Sequence, residues 1–156
     1  MSNIINSDSN IDNPYIVGRP VKNSEMFFGR NDVFGSVLEK LKGQYRDNGI
    51  VIYGQSRIGK TSILNQMSSQ LSARYLCILV DLHAFKLSDL NGFLWELADH
   101  MTEILRDYQI DLPTPNYDMF MKNAQRSFEN IFLRQVWSAI GDKHILLMLD
   151  EASRLQ

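Results

Sequence analysis

Eight consecutive residues, Gly54-Gln55-Ser56-Arg57-Ile58-Gly59-Lys60-Thr61, have the types and spacing to hold a chain of phosphates. Glycines let the backbone curl until successive N–H groups point at one anion, and a helix starting behind them adds its positive end. Lys60 brings a point charge to the β- and γ-phosphates of a nucleoside triphosphate, and the Thr61 hydroxyl is a hard oxygen donor suited to octahedral Mg²⁺. Ser62 follows on the same helix start, and Gln55, Ser56 and Ile58 complete the cradle. Arg57 either touches phosphate or stands exposed on the loop. The pattern G-x-x-x-x-G-K-[ST] is matched in full, in the strand–loop–helix setting it needs. With glycine usage of about 7%, four specified positions agree by chance in a chain this size at well under about 1%.

A second group of chemistry-bearing residues is the acidic pair Asp150-Glu151, which ends the apolar run Ile145 to Leu149. Taken alone, such a pair reads as a solvated turn. Coupled to an upstream phosphate loop, it reads differently, because open α/β sheets bind ligands at the carboxyl ends of their strands. Asp150 is then placed to hold Mg²⁺, directly or through water, and Glu151 to orient and deprotonate the attacking water. His83, His100 and His144 show no metal-ligand spacing and read as surface or packing residues. Trp95 and Trp137 read as core residues of helices.

The elements that must position these groups follow from apolar spacing. Val33, Phe34, Val37, Leu38 and Leu41 predict an amphipathic helix from an Asn31 cap to about Gly43. Ile50 to Tyr53 predicts a short strand leading into the loop. A helix over Thr61 to Ala73 follows, with Ile63, Leu64, Met67 and Leu71 inward. Tyr75 to Val80 predicts a strand covered on both faces. Ser88 is placed to cap a helix carrying Leu90, Phe93, Leu94, Leu97, Met101, Ile104 and Leu105. Pro113 and Pro115 break the pattern. One further helix, Tyr117 to Ile140, presents Phe120, Ala124, Phe128, Ile131, Val136 and Ile140, with Gly141 placed to end it. A strand over Ile145 to Leu149 closes the series. Strands alternating with long helices predict a parallel α/β sheet.

Composition sets bounds on function. The chain has 156 residues, 44% of them hydrophobic and 22% charged, enough for one globular domain with a core. A formal charge of -2 builds no positive field, so no nucleic-acid partner is indicated by this segment. The single cysteine, Cys77, lies in an apolar run, which excludes an intramolecular disulfide framework and predicts a buried thiol. No signal peptide and no run of membrane-spanning length is present, so the expected location is cytoplasmic. Residues 1–13, dominated by Asn, Ser and Asp, predict a disordered arm, and residues 14–30 an extended strap. Residues 31–156 make up the remaining domain.

These segments together carry a family resemblance. Asn13 to Val21, Met26-Phe27-Phe28-Gly29-Arg30, the loop Gly54 to Thr61 and Leu147 to Glu151 resemble the N-terminal part of a prokaryotic STAND or AAA-like P-loop ATPase. A glutamate beside the metal aspartate is similar to the arrangement in that group, and no Asn-Lys-x-Asp segment for guanine occurs. The resemblance implies a three-layer P-loop fold with a parallel sheet, ATP and Mg²⁺ as ligands, and an adenine-side role for Phe28, Gly29 and Arg30. A plain hydrophobic strap is the other reading of those three residues. It further implies a strand between the phosphate-loop strand and the Asp150 strand that comes later in the chain. The expectation is therefore a fold incomplete at its C-terminus, truncated after the Asp150 strand, with sensor residues, arginine finger and protein-contacting or self-assembling domains beyond Gln156. The implied function is an ATP-hydrolysing molecular switch cycling between ATP and ADP, although this chain alone is expected to turn over little. A non-catalytic nucleotide-bound interaction module, and an ATPase of the origin-recognition type that loads on DNA, are the alternatives.

Overall fold

A computed structural model of the chain describes residues 31–42, 49–52, 59–87 and 89–155. The expected arm and strap, with Phe28, Gly29 and Arg30, lie outside the described residues, as do residues 53–58 of the phosphate loop and Ser88.

Among the described residues, two parallel strands form the sheet. β1 (Tyr75–Asp81) pairs with β2 (His144–Asp150) in a register running from Tyr75 opposite His144 to Asp81 opposite Asp150. Parallel neighbours need a long crossover, and residues 82–143 supply it as helices. Because side chains alternate along a strand, the pair feeds two apolar clusters. Leu76, Ile78 and Val80 join a cluster with Leu97, Met101, Leu105, Phe132 and Val136. Cys77 and Met148 join Phe34, Val37, Ile63, Met67 and Leu71. The second cluster comes from α1 (Asn31–Lys42) and α2 (Lys60–Gln70), and its residues are those the helical periodicity places inward. Among the described residues β2 pairs with no strand other than β1, and Leu147 at its centre stays 40% exposed.

The strand expected over Ile50 to Tyr53 is not formed at residues 49–52. The alternation of a strand is present, with Ile50 and Ile52 packed against the second cluster and Val51 exposed. What is missing is a ladder: a strand exists only by hydrogen bonding to a neighbour, and among the described residues this segment pairs with none.

α3 (Leu90–Asp107) is capped by Asp89 rather than Ser88. Its two carboxylate oxygens accept the N–H groups of Asn91 and Gly92, both at 3.1 Å, and such a cap stabilises a helix by about 1 kcal/mol. Gly92 permits the approach, since a Cβ there would stand 2.9 Å from the Asp89 Oδ2. Leu90, expected inward, is 64% exposed because it belongs to the first turn, ahead of the packed stretch from Leu97 to Leu105.

The single helix expected over Tyr117 to Ile140 is broken. α4 (Tyr117–Lys122) stops at Asn123, whose extended backbone (φ -160°, ψ 88°) starts α5 (Ala124–Arg126) while its side chain accepts the Arg126 N–H at 2.9 Å. Asparagine competes with the helix for its own hydrogen bonds, and here it wins. The Ser127 hydroxyl then donates to the Met119 carbonyl across the break at 3.0 Å. Residues Ser127–Phe132 wind as a π-helix before α6 (Leu133–Ile140) resumes α geometry. The wider turn changes which side chains face inward, so Phe132 is buried and Ile131, expected there, is exposed. Gly141 ends α6 with φ 62°, as its position predicts.

Candidate functional site

The phosphate side of the site is described from Gly59 onward. Gly59 adopts a left-handed conformation (φ 93°, ψ 23°) at the cap of α2, and its carbonyl accepts the Ile63 N–H at 3.0 Å. A side chain at that φ would be strained, which is the reason a glycine stands there. Gly59 has no side chain with which to cap the helix, and no acidic residue lies in its first turn. The helix dipole therefore leaves a partial positive charge at an end whose first turn has no carboxylate. Lys60 and Thr61 occupy the first two helical positions and are half-buried, while Ser62 is buried. Residues Gly54, Gln55, Ser56, Arg57 and Ile58 lie outside the described residues.

The carboxylate side stands where the two strands end. Asp150, half-buried, is the last residue of β2, and its Oδ1 accepts the Glu151 N–H at 3.0 Å. Glu151 turns the chain with φ 57°, a left-handed conformation outside glycine that is worth noticing at a sheet's carboxyl edge. A short 3₁₀ turn, Ala152–Leu155, follows. The Leu82 N–H donates to the Asp150 carbonyl at 3.3 Å, extending the pairing of β1 and β2 one residue past the strand ends. α2 reaches the same sheet through Ile63 and Met67, which pack in one cluster with Met148 of β2.

Three residues beside this edge escaped the sequence reading in any functional sense. Asp81 ends β1 directly opposite Asp150, and its Oδ1 accepts the His83 N–H at 2.9 Å. His83 places its Nε2 4.0 Å from the Glu151 Oε2. Arg154 donates from Nη1 to the Leu82 carbonyl. No motif marks them, because the two strand ends they connect are about 70 residues apart in sequence.

The other singled-out residues have packing roles or none. His100 Nε2 lies 2.9 Å from the Leu79 carbonyl and its ring meets Phe85 edge-on. His144 lies against Tyr75. Trp95 is partly buried and donates to the Pro115 carbonyl at 3.1 Å, but Trp137, expected in the core, is 56% exposed. The difference is positional: Val136 and Ile140 carry the inward stripe of α6, and Trp137 falls beside it.

The donor types match a magnesium nucleotide. A hydroxyl at Thr61 and one carboxylate at Asp150 are hard oxygen ligands, and Mg²⁺ takes few protein ligands because phosphates and water complete its shell. No cluster of three or more His, Cys, Asp or Glu able to hold a metal occurs among the described residues.

Cys77 is buried, and desolvation pushes its thiol up to about 11. The thiol is therefore neutral at pH 8, and a thiol-reactive reagent is expected to label the folded chain at least tenfold more slowly than the urea-unfolded chain. Equal rates would contradict the burial. The sign for stability follows: a folded value above the unfolded one contributes stability below about pH 9 that is lost as pH rises towards 11.

No helix among the described residues is long and apolar enough to cross a membrane. A family model described as an AAA domain matches residues 43–156, nearly three quarters of the chain. No curated protein and no solved structure matches.

Proposed function

The chain belongs to the AAA domain family, and from that premise we propose that it is an ATP-binding P-loop module of the STAND/AAA type that works as an ATP-hydrolysing switch. The observation that carries this reading is the pairing of the α2 start, Gly59-Lys60-Thr61, which has a left-handed glycine cap and no acidic residue in its first turn, with Asp150-Glu151 at the carboxyl edge of a sheet that α2 packs against. The two apolar clusters fed by opposite parities of the strands support a three-layer P-loop arrangement.

In this reading the loop Gly54 to Gly59 wraps the phosphates with main-chain N–H groups, and Lys60 neutralises the β- and γ-oxygens. Thr61 and Asp150 would hold Mg²⁺, which when bound supplies charge neutralisation on the phosphate oxygens. Glu151 accepts the proton of the attacking water, and Phe28, Gly29 and Arg30 flank the adenine. Exchange of ATP for ADP changes the charge beside Asp150 and Glu151, and a switch converts that difference into altered contacts with protein partners.

The test is a comparison of nucleotides on one preparation. Hydrogen exchange at α2 and at the turn after β2 is expected to slow more with Mg-ATP than with Mg-ADP, and Mg-GTP is expected to bind at least tenfold more weakly. Identical exchange with ATP and ADP would remove the switch. In that outcome, ATP retained without turnover favours a non-catalytic interaction module.

A further inference from the structure

β1 has a second long edge, facing away from β2, and among the described residues no strand pairs with it. In a parallel ladder the N–H and C=O of one residue point to the same side, and alternate residues point to opposite sides. The flanking bonds fix the parity here. The His144 N–H donates to the Arg74 carbonyl at 2.8 Å and the Leu82 N–H to the Asp150 carbonyl at 3.3 Å, so the even-numbered residues from Arg74 to Leu82 serve β2. Tyr75, Cys77, Leu79 and Asp81 therefore turn their main-chain groups outward.

Such an edge is a template for a further strand. The segment Tyr75 to Val80 makes it a favourable one, because it carries no charge, no proline and no glycine. Yet each of the outward-facing residues has a main-chain group already paired. Local turns close the two ends: the Tyr75 N–H donates to the Ser72 carbonyl at 3.0 Å, and the Asp81 carbonyl accepts the Ala84 N–H at 3.0 Å. Two side chains of α3 close the middle. Tyr108, at the C-terminal cap of that helix, sets one hydroxyl across both groups of Cys77, accepting the N–H at 3.3 Å and donating to the carbonyl at 3.4 Å. A hydroxyl is donor and acceptor at once, so it stands in for a residue of a neighbouring strand. Further back along α3, His100 Nε2 lies 2.9 Å from the Leu79 carbonyl, and since a carbonyl only accepts, that nitrogen is the donor.

The seat of α3 on the sheet comes from Leu97, Met101 and Leu105, which leaves His100 and Tyr108 to reach the strand's polar edge. A second copy of this chain presents the same uncharged segment with the same main-chain spacing, and two such edges related by a two-fold axis pair antiparallel. We propose that Tyr108 and His100 guard the outer edge of β1 against strand addition by a second copy of this chain. Neither the phosphate loop nor Glu151 enters the proposal.

Two measurements on the full chain, without nucleotide, test it. In sedimentation equilibrium, the double variant Tyr108→Ala/His100→Ala is expected to self-associate at least about tenfold more tightly than the wild-type chain, with the Cys77 and Leu79 amides gaining protection from hydrogen exchange as concentration rises. Association no tighter than that of the wild-type chain overturns the guard. Tighter association that leaves those amides unprotected also overturns it, because the contact then lies elsewhere. Tyr108→Phe keeps the ring and removes only the hydroxyl. In that variant the Cys77 amide is expected to exchange at least about tenfold faster than in the wild-type chain, with the Ile78 amide, which faces β2, within about twofold. Equal exchange at Cys77 removes the Tyr108 contact and overturns the guard, even where the alanine variant fails to fold.

Discussion

Replacing Lys60 with alanine is expected to abolish measurable nucleotide binding: calorimetric titration with Mg-ATP should show at least about a 100-fold loss of affinity. Each hydrogen bond from a charged donor to phosphate contributes about 1.5–3 kcal/mol, and Lys60 can direct more than one. At 1.4 kcal/mol per factor of ten, two such bonds account for the loss. The fold should tolerate the change. Lys60 is the first residue of α2, outside the buried set of Ile63 and Met67, and alanine is the better helix former. An unchanged melting temperature with lost binding is therefore the expected pair of results, and wild-type affinity would remove the phosphate-loop assignment.

The second large effect is expected at Glu151. Glu151→Gln keeps the length, shape and left-handed backbone tolerance of the residue but removes the proton acceptor, so ATP is expected to stay bound while turnover falls by about 10²- to 10⁴-fold. Its side chain is half exposed, which makes a stability effect small. Trapped ATP in the variant, recovered as ATP from a desalted complex, separates lost chemistry from lost binding. Turnover at the wild-type rate would assign the base elsewhere. Asp150 offers a contrast: its carboxylate is half-buried and accepts the Glu151 N–H, so a change there disturbs the turn as well as the proposed metal ligand.

Much of the scaffold around these residues was readable because apolar spacing follows from the periods of helix and strand. Phe34, Val37, Ile63, Met67, Leu97, Met101, Leu105, Val136 and Ile140 are buried where their spacing places them. Both strands of the sheet appear over their apolar runs, and Gly141 ends its helix. The failures share a cause. Periodicity carries no information on where a polar side chain will take a main-chain hydrogen bond for itself, and so Asn123 broke the helix expected to run to Ile140. Nor does it show whether an apolar run has a neighbour to pair with, and residues 50–52 keep the alternation of a strand without its ladder.

For the site, the residues that carry the proposed ligand chemistry were legible in the sequence by itself: Gly59, Lys60 and Thr61 at a helix start and Asp150-Glu151 at the end of an apolar run. Residue type and local order suffice for that, because a phosphate cradle is built from main chain and a few adjacent side chains. Only the tertiary structure decided what surrounds the carboxylates. Parallel pairing in register sets Asp81 beside Asp150, brings His83 to Glu151 and lets Arg154 reach the carbonyl of Leu82. Those contacts depend on a crossover of more than 60 residues returning the chain to the same edge, and no local pattern encodes a meeting of that kind.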